Sequence, residues 1–388
     1  MSKDRAVISP KGLERLQAGH LWIYRSDVLE CQASAGSIVA VYNKKGHCVG
    51  RAFFSDRSQI SLRFLSREDI PINREFFEKK LLQASELRQR VVKNSEVYRL
   101  VHAEADGLPS IIVDRYGDFL SIQTLTQGSD SVKSMLVDLL ADLFHPTGIV
   151  ERNDGKVREL EGLDLINSSL YGEVPAEVLS MENGFNFRYQ LTGGQKTGAF
   201  LDQRENRARA SEFAFGRALD CFCYEGGFAV QIARNCEEVE ALDISEDAVR
   251  KAEANAELNQ VHNVHFEVEN AFDRLRLLDN LKKRYDIIIL DPPAFAKNRS
   301  HLDAALRGYK EINLRAFRLL NPGGYLITST CSQLINEDSF LNVLSEASTD
   351  AKRAVQVIEK RTQSRDHPIL LTMPETYYLK CMIVRVIH

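Results

Sequence analysis

Residues 217–243 read RALDCFCYEGGFAVQIARNCEEVEALD, and this stretch decides the fold. An apolar strand-like run from Arg217 to Phe222 leads into a turn containing Gly226 and Gly227. A helix-like run from Phe228 to Cys236 follows, then a second strand-like run from Glu238 to Leu242. Strand, glycine turn, helix, strand is the unit of a parallel sheet, because parallel neighbours need a crossover and the crossover helix covers the sheet.

The pattern continues outward. Ser245 to Asn259 reads as a helix with Ser245 as N-cap and Glu246 and Asp247 at its positive end. Val264 to Val268 reads as a strand, Phe272 to Lys283 as a helix, and Tyr285 to Leu290 as a strand apolar nearly throughout. Ala304 to Leu320 is a long helix stopped by Asn321-Pro322-Gly323-Gly324, and Tyr325 to Thr330 is the next strand. From about residue 186 the chain therefore predicts an α/β fold with helices on both faces of a parallel sheet.

Ligands of such a sheet bind beyond the carboxyl ends of its strands, beside the topological switch point. The residues there are Asp220, Phe222, Tyr224, Gly226 and Gly227 after the first strand, Asp243 after the second, and Asn270 after the third. Asp291 follows the fourth and Cys331 the fifth. Adjacent glycines let a ligand approach the backbone and equally serve a plain tight turn. Asp243 can accept both hydroxyls of a ribose, and the Asn270 amide oxygen can accept from an adenine amine. The spaced glycines of a dinucleotide fingerprint are missing, so the set suits an adenosine without phosphate, S-adenosylmethionine rather than NAD. Asp291-Pro292-Pro293-Ala294-Phe295 ends its strand because proline removes ladder donors and fixes φ. Strand termination accounts for the prolines, while the acid and aromatic that flank them suggest a rigid active-site loop.

The 388 residues carry a net charge of -4. That charge is unevenly spread: residues 1–100 hold 18 Lys+Arg against 11 Asp+Glu, and residues 101–180 hold 5 against 14. A basic front suits a polyanion partner, and also an ordinary solvated surface. The seven cysteines are odd in number and form no Cys-x-x-Cys pair, which argues against a disulfide framework and a zinc site. No apolar run approaches the roughly 18 residues of a membrane span, and no signal-type stretch opens the chain, so a cytoplasmic location is expected. The first 70 residues read as a small all-β unit with runs at Ser37 to Tyr42, Cys48 to Phe54 and Gln59 to Leu65. Arg74 to Val92 has a helical period, and residues 97–185 read as a compact α+β segment around a helix from Ser131 to Phe144.

Six segments together carry a family likeness: Lys196-Thr197-Gly198-Ala199-Phe200-Leu201-Asp202-Gln203-Arg204, Tyr224-Glu225-Gly226-Gly227-Phe228, Asp291-Pro292-Pro293-Ala294-Phe295, Arg307-Gly308-Tyr309-Lys310-Glu311-Ile312-Asn313, Thr330-Cys331-Ser332 and Asp366-His367-Pro368. In order and spacing the chain resembles the bacterial large-subunit (23S) ribosomal RNA cytosine-C5 methyltransferases that have an N-terminal PUA domain. The resemblance implies a PUA-like RNA-binding β-barrel at 1–75, a central α+β domain at 76–185, and a Rossmann-like class I methyltransferase domain at 186–388. It implies S-adenosylmethionine as cofactor and large-subunit ribosomal RNA as partner, with no membrane and no metal, and leaves a homodimer open. It adds Gln203 and Arg204 to the cofactor cleft that Asp220, Phe222, Tyr224, Gly226, Gly227, Asp243, Asn270 and Asp291 form, and gives Pro292, Pro293, Phe295 and Lys310 to the substrate.

Carbon 5 of cytosine is a poor nucleophile, and enzymes of this kind activate it by adding a thiolate to carbon 6. Cys331 is the candidate nucleophile; the plainer reading is a buried structural cysteine. Asp291 would hold the N3 and amine edge, protonated or sharing a proton, and Phe295 would stack on a flipped base. No base for removal of the C5 proton stands out: in another group of RNA cytosine methyltransferases a second cysteine near the Asp-Pro loop assists, but Ala294 follows the prolines here. His367 is left without a role. Two rival readings remain, a guanine-nitrogen methyltransferase with a similar Asp-Pro-Pro-x-Phe loop, which needs no thiol, and a non-catalytic RNA-binding assembly factor, which would need none of Asp220, Asp243, Asp291 and Cys331.

Overall fold

The computed structural model describes residues 4–192, 199–296 and 299–388. It divides into two compact units. The first holds residues up to 182 with 189–201 and 365–376, and the second holds 183–188, 202–364 and 377–388.

Among the described residues, two sheets lie wholly within the first unit. One has six strands in the order Trp22–Tyr24, Ile60–Ser66, Cys48–Phe54, Ile38–Asn43, Arg5–Ile8 and Val28–Gln32. Its pairs are antiparallel apart from Arg5–Ile8 with Ile38–Asn43. Alternating residues such as Val39, Val41, Leu62 and Phe64 fill one core. A helix, Pro10–Gln17, departs from the all-β expectation. Its start follows helix-entry chemistry, with proline in the first turn and the Ser9 side chain accepting from the Gly12 amide at 3.0 Å. The other sheet has five strands, Ile166–Gly172, Gly148–Asn153, Phe119–Thr124, Ile111–Tyr116 and Val97–His102. Helices Arg74–Val91 and Lys133–Phe144 supply Phe77, Leu81, Leu136 and Leu140 to the core beside it.

The second unit is built on a seven-stranded sheet ordered Val264–Val268, Glu238–Asp243, Arg217–Cys221, Tyr285–Leu290, Leu320–Thr330, Lys380–Val386 and Val355–Thr362. The first five are parallel, as the repeated strand–turn–helix pattern predicts. Lys380–Val386 runs against both neighbours. The chain order reverses at Arg217–Cys221, whose next parallel neighbour is Tyr285–Leu290, and this switch point places the carboxyl ends of those strands around one crevice. Two apolar layers cover the sheet. One face packs Leu275, Tyr309, Phe317 and Phe340 against it, and the other packs Phe228, Ile232 and Ala210. Among the described residues no helix is long and apolar enough to cross a membrane.

Candidate active site

Asp220 is fully buried at the end of its strand, and neither carboxylate oxygen has a well-formed hydrogen bond. Burial first, then the charges of Asp291 and Asp243, hold its carboxyl well above the ordinary range, while the Ala229 amide and Arg207 act the other way. The turn that follows is strained. Phe222 and Tyr224 adopt φ of 68° and 49°, a region that large side chains rarely enter, and Gly226 has φ 82°. Asp243 holds this turn, accepting from the Tyr224 amide at 3.0 Å and the Ser245 amide at 2.9 Å. At Gly227 a Cβ would lie 2.7 Å from Arg207 Nε, so the missing side chain makes room for the guanidinium.

The buried Asp220 and Asp291 thus feel further negative charge from Asp243 and Asp202, and Arg207 is the cation that acts on both of them. A surplus of negative charge with orphaned acceptors suits a ligand that brings a cation and N–H donors, and opposes phosphate. S-adenosylmethionine, with its sulfonium and ammonium, fits those groups; a dinucleotide does not. One sequence expectation needs correction. The Asn270 amide oxygen caps its own helix, accepting from Phe272 at 2.9 Å and Asp273 at 3.3 Å. Both lone pairs are engaged, so the group Asn270 can offer an adenine is its NH2.

Beside this edge lies a second cluster. Gln203 is 2% exposed and donates from Nε2 to Asp291 Oδ1 at 2.7 Å and to Ser329 Oγ at 3.1 Å. Its own oxygen accepts from Asn206 at 2.6 Å, which fixes the amide orientation. Burial pushes the Asp291 carboxyl up to about 7 despite the Gln203 hydrogen bond, with Asp202 adding to the rise and Arg207 opposing it. Burial and the charges of Asp291 and Asp202 push the Cys331 thiol up to about 12, and the backbone amides of Cys331 and Ala294 favour its thiolate. The same loop that presents Asp291 therefore also presents a donor to Cys331. Tyr309, fully buried, lies 3.3 Å through its hydroxyl from Ser332 Oγ and within electrostatic reach of Cys331.

Phe295 is packed, with its ring 4.5 Å from Tyr309 and 5.7 Å from Phe272 between centroids. Gly308 leaves room for it, since a Cβ there would approach the ring to 3.3 Å. Pro292 is buried and Pro293 exposed. Arg204 is 1% exposed, lies 3.5 Å from Glu205, and its carbonyl accepts from Asn183. Lys310 sits apart from these residues: its Nζ lies 3.0 Å from both Glu346 and Asp350, toward the far end of helix Glu337–Asp350. The substrate role expected of it is not matched by its position. Lys196, Thr197 and Gly198 of the quoted motif lie outside the described residues.

His367 belongs to the first unit. Its ring meets His102 at 5.1 Å, and the preceding Asp366 accepts from the Arg99 amide at 2.8 Å. The Asp366 carbonyl accepts from Arg88, a buried guanidinium that also grips Asp106 through bonds of 2.6 and 2.7 Å. The Asp-His-Pro motif thus anchors residues 365–376 to the central sheet. Sequence reasoning missed Asp202, Arg207, Ser329 and Tyr309, although Asp202 and Tyr309 stand inside quoted motifs.

A doubly wound sheet with a carboxylate-lined adenosine edge and a loop carrying an acid beside a thiol defines a Rossmann-type group-transfer enzyme. Residues 164–372 match the family described as S-adenosylmethionine-dependent methyltransferase, and residues 7–67 match the PUA-like domain. The chain belongs to the S-adenosylmethionine-dependent methyltransferase family. It is 41% identical over 379 residues to Ribosomal RNA large subunit methyltransferase I of Tolumonas auensis, covering 95% of this chain and 96% of that one. It is 39% identical to the protein of the same name from Erwinia tasmaniensis, over 98% and 99% of the two chains. A solved structure described provisionally as a methyltransferase, complexed with SAH, shares the fold with a TM-score of 0.85 at 21% identity, over 98% of this chain and all of that one.

Proposed function

We propose that this methyltransferase modifies carbon 5 of a cytosine in large-subunit ribosomal RNA through a covalent Cys331 adduct. The names of its relatives support the RNA, and the basic front of the chain, within which the PUA-like match falls, supports a polyanion partner. The observation that carries the choice of carbon 5 is the pairing of a thiol with a carboxyl whose pKa lies near 7, both served by the Asp291–Phe295 loop. Methylation of an already nucleophilic guanine nitrogen would need no such thiol.

Asp220, the 222–227 turn, Asp243 and Asn270 would hold S-adenosylmethionine, which would supply an electrophilic methyl group. Gln203 fixes Asp291 against the cytosine N3 edge. At neutral pH Asp291 is about half protonated, so it can give a proton to N3 as charge develops there. The Cys331 thiol gives its proton to water, the amides of Cys331 and Ala294 stabilising the thiolate, the sulfur pair then makes the S–C6 bond, and the ring electrons reach C5, which takes the methyl. Loss of the C5 proton returns an electron pair to the C5–C6 bond, and the C6–S bond breaks.

Ribosomal RNA carrying 5-fluorocytidine tests this, because fluorine at C5 cannot leave as the proton does. A covalent protein–RNA adduct should form only with S-adenosylmethionine and vanish in Cys331→Ala. If Cys331→Ala still methylates C5 at the normal rate, or if the product is methylguanine, the proposal fails.

A further inference from the structure

Asp291 and Cys331 each lie one residue beyond the end of a strand, Asp291 after Tyr285–Leu290 and Cys331 after Leu320–Thr330. Pro292 and Pro293 have no N–H, so the residues that follow Asp291 cannot tie the loop down by donating. Gln203 fixes the loop at Asp291 through its 2.7 Å bond. The far end of the loop, and the turn that carries the thiol, are fixed at Ser332.

Ser332 is 1% exposed, and polar groups of three elements meet there. Its Oγ accepts from the Ala296 amide at 3.4 Å, which holds the end of the Asp291–Phe295 loop. Its own amide donates to Thr330 Oγ1 at 3.2 Å, which closes the turn around Cys331. The Tyr309 hydroxyl, from helix Leu302–Leu319, lies 3.3 Å from the same Oγ. Thr330 and Ser332 are buried, and Cys331 between them is partly exposed.

Tyr309 reaches both pieces with one side chain. Its ring lies 4.5 Å from that of Phe295, and Phe340 packs edge-on at 5.8 Å. A phenylalanine would fill that space equally, and a hydroxyl buried in an apolar layer is costly unless it is hydrogen-bonded. What the hydroxyl adds is the contact with Ser332. Burial raises its pKa, so it keeps its proton to donate.

We propose that Tyr309 and Ser332 are positioning residues, a clamp that holds the Cys331 turn and the Asp291–Phe295 loop in one register, so that thiol and carboxyl meet the same cytosine. Neither residue touches the reacting atoms. The clamp's bonds are long, as those of sites without substrate often are, and they shorten when the base is seated. This rests on Cys331 as nucleophile and Asp291 as its partner.

The test is a double-mutant cycle on methylation of ribosomal RNA by the full chain, with Tyr309→Phe, Ser332→Ala and both together. Tyr309→Phe keeps the ring that packs on Phe295 and removes only the hydroxyl. Each single change should lower kcat about tenfold, the worth of one buried hydrogen bond, with KM for S-adenosylmethionine unchanged. The double variant should be no slower than Ser332→Ala, because Tyr309 acts through the Ser332 hydroxyl. Adduct formation on 5-fluorocytidine RNA should slow by the same factors as kcat. Wild-type kcat in either single variant, losses that multiply in the double, a loss that falls on KM for S-adenosylmethionine instead, or slowed turnover with adduct formation at the wild-type rate overturns the inference even if Cys331 is the nucleophile. If Cys331→Ala still methylates C5, the nucleophile assignment fails, and non-additive losses in Tyr309→Phe and Ser332→Ala would then still uphold the clamp on the Asp291 loop.

Discussion

Replacing Asp291 with asparagine should stabilise the protein, and by an amount that grows with pH. The carboxyl titrates near 7 in the folded state, against about 3.9 in an unfolded chain. Between those values the unfolded state gives up a proton that the folded state keeps. The group's favourable contribution is therefore complete below about pH 4, declines through the window from 4 to 7, and stays lost above it. The whole loss is about 4 kcal/mol at 1.36 kcal/mol per unit. Asparagine does not ionise, and its oxygen can still accept the 2.7 Å bond from Gln203. Any constant effect of the exchange cancels when two pH values are compared, so the gain of Asp291→Asn over the wild type should increase by about 2–3 kcal/mol between pH 5 and pH 8. With roughly 2–4 °C per kcal/mol for a unit of this size, the melting-temperature gain should be about 5–10 °C larger at pH 8. Thermal melts by circular dichroism without cofactor measure it, and methylation by the same preparations should collapse. Equal gains at pH 5 and pH 8, or a variant less stable at pH 8, would refute the argument that burial controls Asp291.

Gln203→Leu removes the donor that orients Asp291 while keeping the volume, so kcat should fall about 10- to 100-fold, the worth of one hydrogen bond to a charged group, with KM for S-adenosylmethionine little changed; an unchanged kcat would deny Gln203 its role. Binding of the cationic cofactor should draw a proton off Asp220, whose carboxyl stands raised in the free protein. A net release of protons should be read by calorimetry at pH 7 in buffers of different ionisation enthalpy, and proton uptake would contradict the carboxylate-lined edge.

What the sequence discloses and what it hides follow from how far each residue's signal is local. The five parallel strands are legible because each is a short strand-like run set in a repeating strand–turn–helix pattern. Their carboxyl ends then name Asp220, Asp243, Asp291 and Cys331 without any tertiary knowledge. Local chemistry can also mislead at those ends. Asn270 reads as an adenine acceptor, yet asparagine at a helix start spends its oxygen on the backbone, and Ser245 does the same for the next helix back. Motif membership alone assigns no role: Asp366-His367-Pro368 belongs to the family likeness, and Asp366 accepts from Arg99 and Arg88 in the first unit. Lys380 lies at the opposite extreme. A lysine opening a strand reads as a solvated end, and the run Lys380–Val386 has no crossover helix before it to mark it as a core strand. It is buried because this strand inserts antiparallel between Leu320–Thr330 and Val355–Thr362, the second of which carries three charged residues in eight. That insertion places the lysine opposite Thr330. Its burial is thus specified by a long-range pairing, and such pairings are what periodicity and local turn chemistry do not record.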